Sequence, residues 1–312
     1  MSEPAKSPYY CAQASQLAGE SVFGTAVNAD IWLLIENSEP WGRNAVKDSS
    51  MPQAVKDHLA SLSRTSKRIR VQVIKQESRT KFPRQVFVGF TRQHGSYIIQ
   101  SQIGSYEELL QLTAEALLNR EVALDHRRIE TPLFLVCTHG VHDKCCAKYG
   151  FATYKFMREI TPANVWQTSH VGGDRFASNV ISFPSGVYYG HVDDADARAI
   201  IDAEQRAEIY LERYRGRTCF GTHGQVAEYF VRRESGIRGV EELRREWVKF
   251  DQGRILWTGL FTSDDGGKEH VVKFERLKAR FRALLTCHAV EEKSPFEYRL
   301  LSYAECAPSD FL

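Results

Sequence analysis

Pro132-Leu-Phe-Leu-Val-Cys-Thr-His-Gly-Val-His-Asp-Lys-Cys-Cys146 passes from an apolar run into a polar, glycine-containing loop and out again. Pro132–Val136 has the length and composition of a buried strand, Cys137–Lys144 reads as a loop, and Cys145–Ile160 can form a helix closed by Thr161-Pro162. Working outward, Asn164–Thr168 reads as a strand. Asn179–Phe183 and Val187–Val192 read as a hairpin about Pro184-Ser-Gly186. Asp193–Arg215 reads as one long amphipathic helix, with Ala195, Ala199, Ile200, Ala203 and Ala207 among its small or apolar positions.

The same order occurs about a hundred residues earlier. Ala29–Glu36 is a buried-strand pattern bounded by turn residues from Asn37 to Gly42. Met51–Leu62 has helical spacing with Val55, Leu59 and Leu62 on one face, and Ile69–Ile74 alternates as a strand. Gln85–Phe90 and Ser96–Gln102 flank a turn at Gln93-His-Gly95, and Ser105–Leu118 reads as a helix opened by a capping box of Ser105 with Glu108. Strand, loop, helix, strand, hairpin, helix is the order of a thioredoxin-like unit. The expected fold is therefore α/β: two tandem thioredoxin-like units followed by a smaller, mainly antiparallel β region. The expected divisions are a tail at 1–28, a unit at 29–125, a second unit with the Cys/His loop at 126–218, and a C-terminal region at 219–312. Where the second unit has that loop, the first has Asn37-Ser-Glu-Pro-Trp-Gly42, so it is expected to supply scaffold or partner surface. In the last region Gln225–Arg233 reads as a helix. Trp247–Phe250, Arg254–Phe261, His270–Phe274, Phe281–His288 and Phe296–Tyr303 read as antiparallel strands, with a turn at Asp264-Asp-Gly-Gly267.

The bulk composition is that of an ordinary soluble protein: 312 residues, 43% hydrophobic, 26% charged, net charge +2. Neither nucleic acid nor an anionic membrane is implied, and the basic run Arg64–Arg70 is accounted for as a solvated strand edge. No apolar run approaches the ~20 residues of a spanning helix, and MSEPAKSPYY lacks the core of a secretory signal, so a cytoplasmic location is expected. Seven cysteines, an odd number, do not suggest a disulfide framework in that compartment. Cys11, Cys219, Cys287 and Cys306 lie far apart and read as small buried hydrophobes.

Cys137, Cys145 and Cys146 are different, because they cluster in a polar loop. Cys137 ends a strand and Cys146 lies in the first turn of a helix, a place that favours thiolate. His170 ends the next parallel strand, and the carboxyl ends of neighbouring strands are where sites assemble in an open α/β sheet. Gly172 and Gly173 leave room for the backbone to approach a bulky inorganic group and offer it N–H donors. Arg175 is either a simple salt-bridge partner or a cation that stabilises added negative charge on reduction.

These residues resemble the sucrase/ferredoxin-like family of thioredoxin-like ferredoxins, over roughly residues 20 to 235. The resemblance rests on the two cysteines eight residues apart, on His170-Val-Gly-Gly, and on the hairpin Pro184-Ser-Gly-Val-Tyr-Tyr-Gly190. Family members related to yeast proteins use two cysteines and two histidines, the latter as His-x-Gly-Gly-His. The resemblance thus implies a [2Fe–2S] cluster, with Cys137 and Cys146 on one iron and His170 on the other. Asp174 stands where the second histidine would be and is the expected fourth ligand; His139, His142 and Cys145 are the remaining candidates, although the two histidines are expected to support the ligands or face solvent. No carboxylate pair around a sugar site supports the sucrase part of the family name.

Three functional classes follow. The first is a one-electron carrier, rather than a catalyst with its own substrate, served by a reductase and an acceptor protein. A histidine-ligated iron gives such a cluster a higher potential than four cysteines do. The second is a zinc protein using the same ligands. The third is a thiol–disulfide protein, disfavoured because Cys-x-x-Cys at a helix start is absent.

Overall fold

In the computed structural model, residues 9–307 are described except 77–81, 163, 252, 254 and 265–266. Six consecutive buried residues form β1 (Ile31–Glu36). Ile31, Leu33 and Ile35 enter one apolar cluster while Trp32 and Leu34 enter another. That two-residue period buries both faces of the strand, so nearly every position must be apolar.

Around it run β2 (Ile69–Lys75), parallel to β1, then β3 (Arg84–Phe90) and β4 (Tyr97–Ile103), each antiparallel to its neighbour, and β5 (His126–Ile129) at the edge. The second half repeats these senses. β6 (Leu133–Cys137) is parallel to β7 (Val165–Thr168) and antiparallel to β8 (Val180–Phe183), which pairs with β9 (Val187–Tyr189) and then β10 (Tyr214–Arg217). The halves form one ten-stranded mixed sheet, β10-β9-β8-β6-β7-β2-β1-β3-β4-β5. They meet at β2 and β7 in an antiparallel joint, Ile74 opposite Thr168 and Lys75 opposite Gln167.

Helix α1 (Cys11–Leu17) precedes the sheet; α2 (Gln53–Thr65) covers the first half through Val55, Leu59 and Leu62; α3 (Ala114–Leu118) is short. Helices α4 (Phe151–Ile160) and α5 (Asp194–Gln205) cover the second half through Tyr154, Met157, Ile200 and Ile201. A core cluster shared by both halves joins Trp32, Phe87 and Ile98 to Leu133, Phe183 and Tyr188, and it includes Cys137 and Cys146. The C-terminal region is α6 (Thr222–Ser235) packed on a four-stranded antiparallel sheet of β11 (Leu243–Phe250), β12 (Leu256–Ser263), β13 (Glu269–Lys278) and β14 (Phe296–Cys306). No helix among the described residues is long and apolar enough to cross a membrane.

Several elements differ from the sequence reading. The helix expected over 193–215 stops at Gln205. Ala207 takes a positive φ of 54°, and Ile209, Leu211 and Tyr214 leave helical spacing to enter the core. The helix expected over 105–118 is a 3₁₀ turn at Tyr106–Gln111 followed by α3. The Ser105–Glu108 capping box is present, but Leu112 and Thr113 are extended; Leu112 is buried, and the Thr113 hydroxyl accepts from Ala116 N–H. The hairpin strand expected to run to Val192 ends at Tyr189. Phe281–His288 is not a strand and contributes only an isolated bridge, Ala283 with Lys293. The segment read as an N-terminal tail contains α1, and β5 and β10 had no counterpart in the reading. Arg254, the expected start of a strand, lies outside the described residues.

The C-terminal region is tied to the main sheet by ions rather than by apolar contact alone. Arg217, Glu228 and Arg232 are fully buried; Glu228 Oε1 accepts from Arg232 at 3.0 Å and Arg217 at 3.4 Å, and its other oxygen from the Tyr214 hydroxyl. Arg217 also donates to the carbonyls of Arg92, Gln93 and Val240. Burial alone would raise the Glu228 pKa, but Arg232 and Arg217 hold it below the usual value. Its stabilising charge is thus retained at neutral pH and lost only as pH falls through that lowered pKa. Glu228→Gln leaves two buried guanidiniums without their shared anion and is expected to lower unfolding free energy by about 3–5 kcal/mol, read by urea denaturation at pH 7.

His191 gives the fold an expected acid sensitivity. It is buried, with Nε2 3.3 Å from the Ser15 hydroxyl, and its pKa is pushed down to about 4, first by burial and further by Arg213, Arg215 and Arg175. The unfolded chain therefore binds a proton that the native state refuses between pH 6.5 and about 4, so stability falls as pH drops through that window. The loss attributable to His191 is up to about 3 kcal/mol, and His191→Gln is expected to flatten the pH profile of denaturation by that amount.

Candidate metal centre

Cys137 is the last residue of β6, and its N–H is tied to Asn179 O at 3.0 Å. The loop after it is folded on itself: Asp143 N–H donates to His139 O and Cys146 N–H to Asp143 O. Cys146 opens a π-helical turn, Cys146–Gly150, that leads into α4. Gly150 makes the close approach possible, since a Cβ there would collide with the carbonyl oxygen of Cys137. The π turn and that glycine bring the helix start against the strand end, and both sulfurs are buried.

His170 follows β7. The donor atoms of Cys137, Cys146 and His170 lie within 4.8 Å of one another. Asp174 turns inward: its Oδ1 is 3.6 Å from Cys146 Sγ and 3.1 Å from His170 Nδ1. The His170 Nδ1 atom is buried near that carboxylate without the alignment of a hydrogen bond. Asp174 does not cap its own turn, Asp174–Phe176; the cap position is Gly173 and no side-chain cap bond is made. Cys137, Cys146 and His170 thus form one group, and Asp174 reaches it through Cys146 and His170.

The other expected residues are placed as follows. Gly172 and Gly173 have φ of 89° and 79°, and the space a side chain on Gly173 would need holds the Arg215 guanidinium. Arg175 pairs with the buried Glu20 at 2.7 Å and stacks over Phe176. His139 is spent on structure: Nε2 bonds Gly42 O at 2.8 Å and Nδ1 accepts the His170 N–H at 3.1 Å, which orients the His170 loop. The His142 ring stacks on that of His170, centroids 3.6 Å apart, and its donor atom is within 4.8 Å of those of His170 and Asp174. Cys145 points away, with its sulfur 3.6 Å from Cys11 and 3.3 Å from Cys287.

The charges are ordered before any ion arrives. The Cys146 thiol donating to Cys137 holds the Cys137 pKa well below its usual value against the cost of burial, with His170 adding to the effect. Cys146 is pushed well up, first by that shared proton and then by burial. Burial opposes charge on His170, but Asp174 and Cys137 outweigh it and raise its pKa to about 9. Asp174 is likewise held low, burial being overcome by His170. A bound cation would displace the protons of Cys146 and His170.

Sequence reasoning missed Arg215. Fully buried, it donates to Gly172 O at 3.1 Å, Asn179 Oδ1 at 2.7 Å, Thr25 O at 2.7 Å and Thr25 Oγ1 at 3.0 Å, fixing the glycine pair in place. It also missed the role of Gly150, for which a glycine inside an otherwise helical run was the available signal. A cleft of about 440 Å³ opens beside the site, lined by Arg43, Lys67, Arg70, His142 and His170 among others.

Two thiols, an imidazole and a carboxylate gathered near the ends of parallel strands in a mixed α/β sheet are the kind of donor set that could hold a metal ion. The chain belongs to the sucrase/ferredoxin-like family, whose model matches residues 22–216. It is 31% identical over 106 residues to Altered inheritance of mitochondria protein 32 of Meyerozyma guilliermondii, covering 30% of this chain and 38% of that protein. The match thus spans well under half of that relative. Two solved structures of a thioredoxin-like [2Fe–2S] ferredoxin from Aquifex aeolicus align at 17% and 18% identity, over 28% of this chain and 91% and 97% of theirs, each with a TM-score of 0.25.

Gly150→Ala should force the π turn away from Cys137. A loss of about 2 kcal/mol in unfolding free energy is expected, read by urea denaturation. Gly221→Ala, where a Cβ meets nothing within 4 Å, serves as the control and should not change it.

Proposed function

We propose that this protein is a one-electron carrier whose Cys137, Cys146, His170 and Asp174 hold a [2Fe–2S] cluster, on the second of two tandem thioredoxin-like units divided as 29–125 and 126–218. The observation that carries the reading is the burial of two thiols against an imidazole and a carboxylate, in a chain of the sucrase/ferredoxin-like family. The donor set suits iron: thiolates anchor it, and nitrogen and oxygen donors complete it. When bound, the group accepts and returns a single electron. The chain's own part is to hold the donors still, through His139 and Arg215, and to keep bulk water from the sulfurs. Arg215, with no carboxylate among its hydrogen-bond partners in the described residues, and Arg70, which donates to His170 O at 3.3 Å, supply positive charge that offsets the anionic donors. The basic cleft beside His170 suits the acidic face of a redox partner protein. Asp174 in place of a second histidine adds an anionic, harder ligand, which lowers the potential relative to a two-histidine site.

A second reading, zinc in the same site, is favoured by one observation: the donors of Cys137, Cys146 and His170 all lie within 4.8 Å, a spacing a single ion also satisfies. Colour separates the two. Anaerobically purified protein is expected to be coloured, with iron and acid-labile sulfide in equal amounts. Cys137→Ser and Cys146→Ser should each remove most visible absorbance, and Cys145→Ser should keep it. A colourless wild-type protein loaded with zinc at these residues would replace the first reading with the second.

A further inference from the structure

Three cysteines that are remote in sequence meet on the far side of the Cys145–Cys146 peptide. Cys11 comes from α1, Cys145 from the loop of the candidate centre, and Cys287 from the C-terminal region. Their sulfurs form a triangle: Cys11 to Cys145 3.6 Å, Cys145 to Cys287 3.3 Å, Cys287 to Cys11 3.5 Å. Asp143 stands over it, with both carboxylate oxygens 4.0 Å from Cys11 Sγ, and all four donors lie within 4.8 Å of one another. Four thiolates around a tetrahedral zinc, at Zn–S of about 2.3 Å, sit about 3.8 Å apart, so this triangle has nearly the size of one face of such a site.

We propose that Cys11, Cys145, Cys287 and Asp143 bind one thiophilic tetrahedral dication, zinc, in a second site that is structural. Binding transfers the thiol protons to solvent and changes no oxidation state. The surroundings are arranged for it. Asp143 is buried, and its Oδ1 accepts the Cys145 N–H while its Oδ2 accepts the Cys287 N–H, each at 2.8 Å, which locks two of the cysteine backbones into facing positions. The Cys11 N–H points at Cys287 Sγ at 3.5 Å, the kind of N–H···S bond that steadies a thiolate. Cys11 and Cys145 are buried, with Ala12, Ala177, Tyr10 and Tyr149 closing around them. Three thiolates and a carboxylate around a dication leave excess negative charge. Lys144 and Lys148 lie nearby, with ammonium groups 4.9 and 3.9 Å from the Tyr10 ring. Three free thiols in mutual contact make a poor core by themselves, since a thiol is a weak donor and a weak acceptor. A shared cation gives each sulfur a strong partner. Zinc here would clamp α1 and the segment around Cys287 onto the loop that presents Cys146, whatever fills the centre on the other side.

The test is metal analysis of the full-length protein, purified with a reductant and no chelator. The expected result is one zinc per chain, with zinc-edge X-ray absorption showing three sulfurs at about 2.3 Å and one lighter ligand. Cys287→Ser is expected to lose that zinc and keep its iron, sulfide and visible absorbance, while Cys137→Ser does the reverse. If the Cys137–Cys146 site holds zinc instead of iron, wild type carries two zinc ions and Cys287→Ser carries one. Wild-type protein that takes up no zinc from added zinc chloride under reducing conditions would overturn the proposal. So would zinc retained in full by Cys287→Ser, or a Cys145–Cys287 disulfide that persists in reductant. Should Cys287→Ser not fold, the sulfur count around zinc in wild type decides.

Discussion

Two buried guanidiniums on one strand hold the parts of this chain in register. β10 carries Arg215 and Arg217, both fully buried. Taking two such ions out of water is costly unless every donor finds a partner. Arg215 meets that demand with carbonyl and side-chain oxygens of Thr25, Gly172 and Asn179. Arg217 meets most of it with the carbonyls of Arg92, Gln93 and Val240 and the carboxylate of Glu228, while its Nε finds no acceptor among the described residues. The acceptors belong to five separate stretches of chain. Because the ions accept no looser arrangement without losing a hydrogen bond, they fix the glycine pair beside His170, the turn between β3 and β4, and α6 relative to one another.

The elements legible in the sequence were those whose burial has a simple period. β1 is apolar on both faces, α2 presents Val55, Leu59 and Leu62 on one face, and the repeated order of strands in the two halves showed in the spacing of such runs. The joint between β2 and β7 was not legible. It consists of two residue pairs between strands that nothing in the sequence marks as neighbours. The end of α5 was misread because its alanines favour continuing the helix, whereas the core needs Ile209, Leu211 and Tyr214 elsewhere.

The candidate centre divides along the same line. Cys137, Cys146 and His170 stand at strand ends and a helix start, so their approach follows from connectivity that short spacing reveals, whereas Asp174 was suggested only by the resemblance to the family's His-x-Gly-Gly-His segment. Their supports come from afar: Arg215 lies in what reads as helix, and Gly42, which receives His139, belongs to the other half of the sheet. The cysteines at 11, 145 and 287 had no spacing to betray them, because a contact between segments so distant in sequence leaves no periodic trace. Cys11 and Cys287 each read as an ordinary small apolar residue, and Cys145 read only as a neighbour of the Cys137–Cys146 pair.

That contact has a consequence for chain entropy. The Cys11 N–H bonds Cys287 Sγ across 276 residues, and the Tyr9 hydroxyl bonds Leu284 O nearby. Closing a loop of that length from a flexible coil costs about 5 kcal/mol on a logarithmic scale, before any strain. A few weak hydrogen bonds do not offset so large a term. Once the two sheets and α6 have formed, however, the same two segments are already near each other, and only α1 and the connection between β13 and β14 remain to be ordered. The union of α1 with the β13–β14 connection is therefore a late act of folding, conditional on the scaffold between them, and it reports on whether that scaffold is complete.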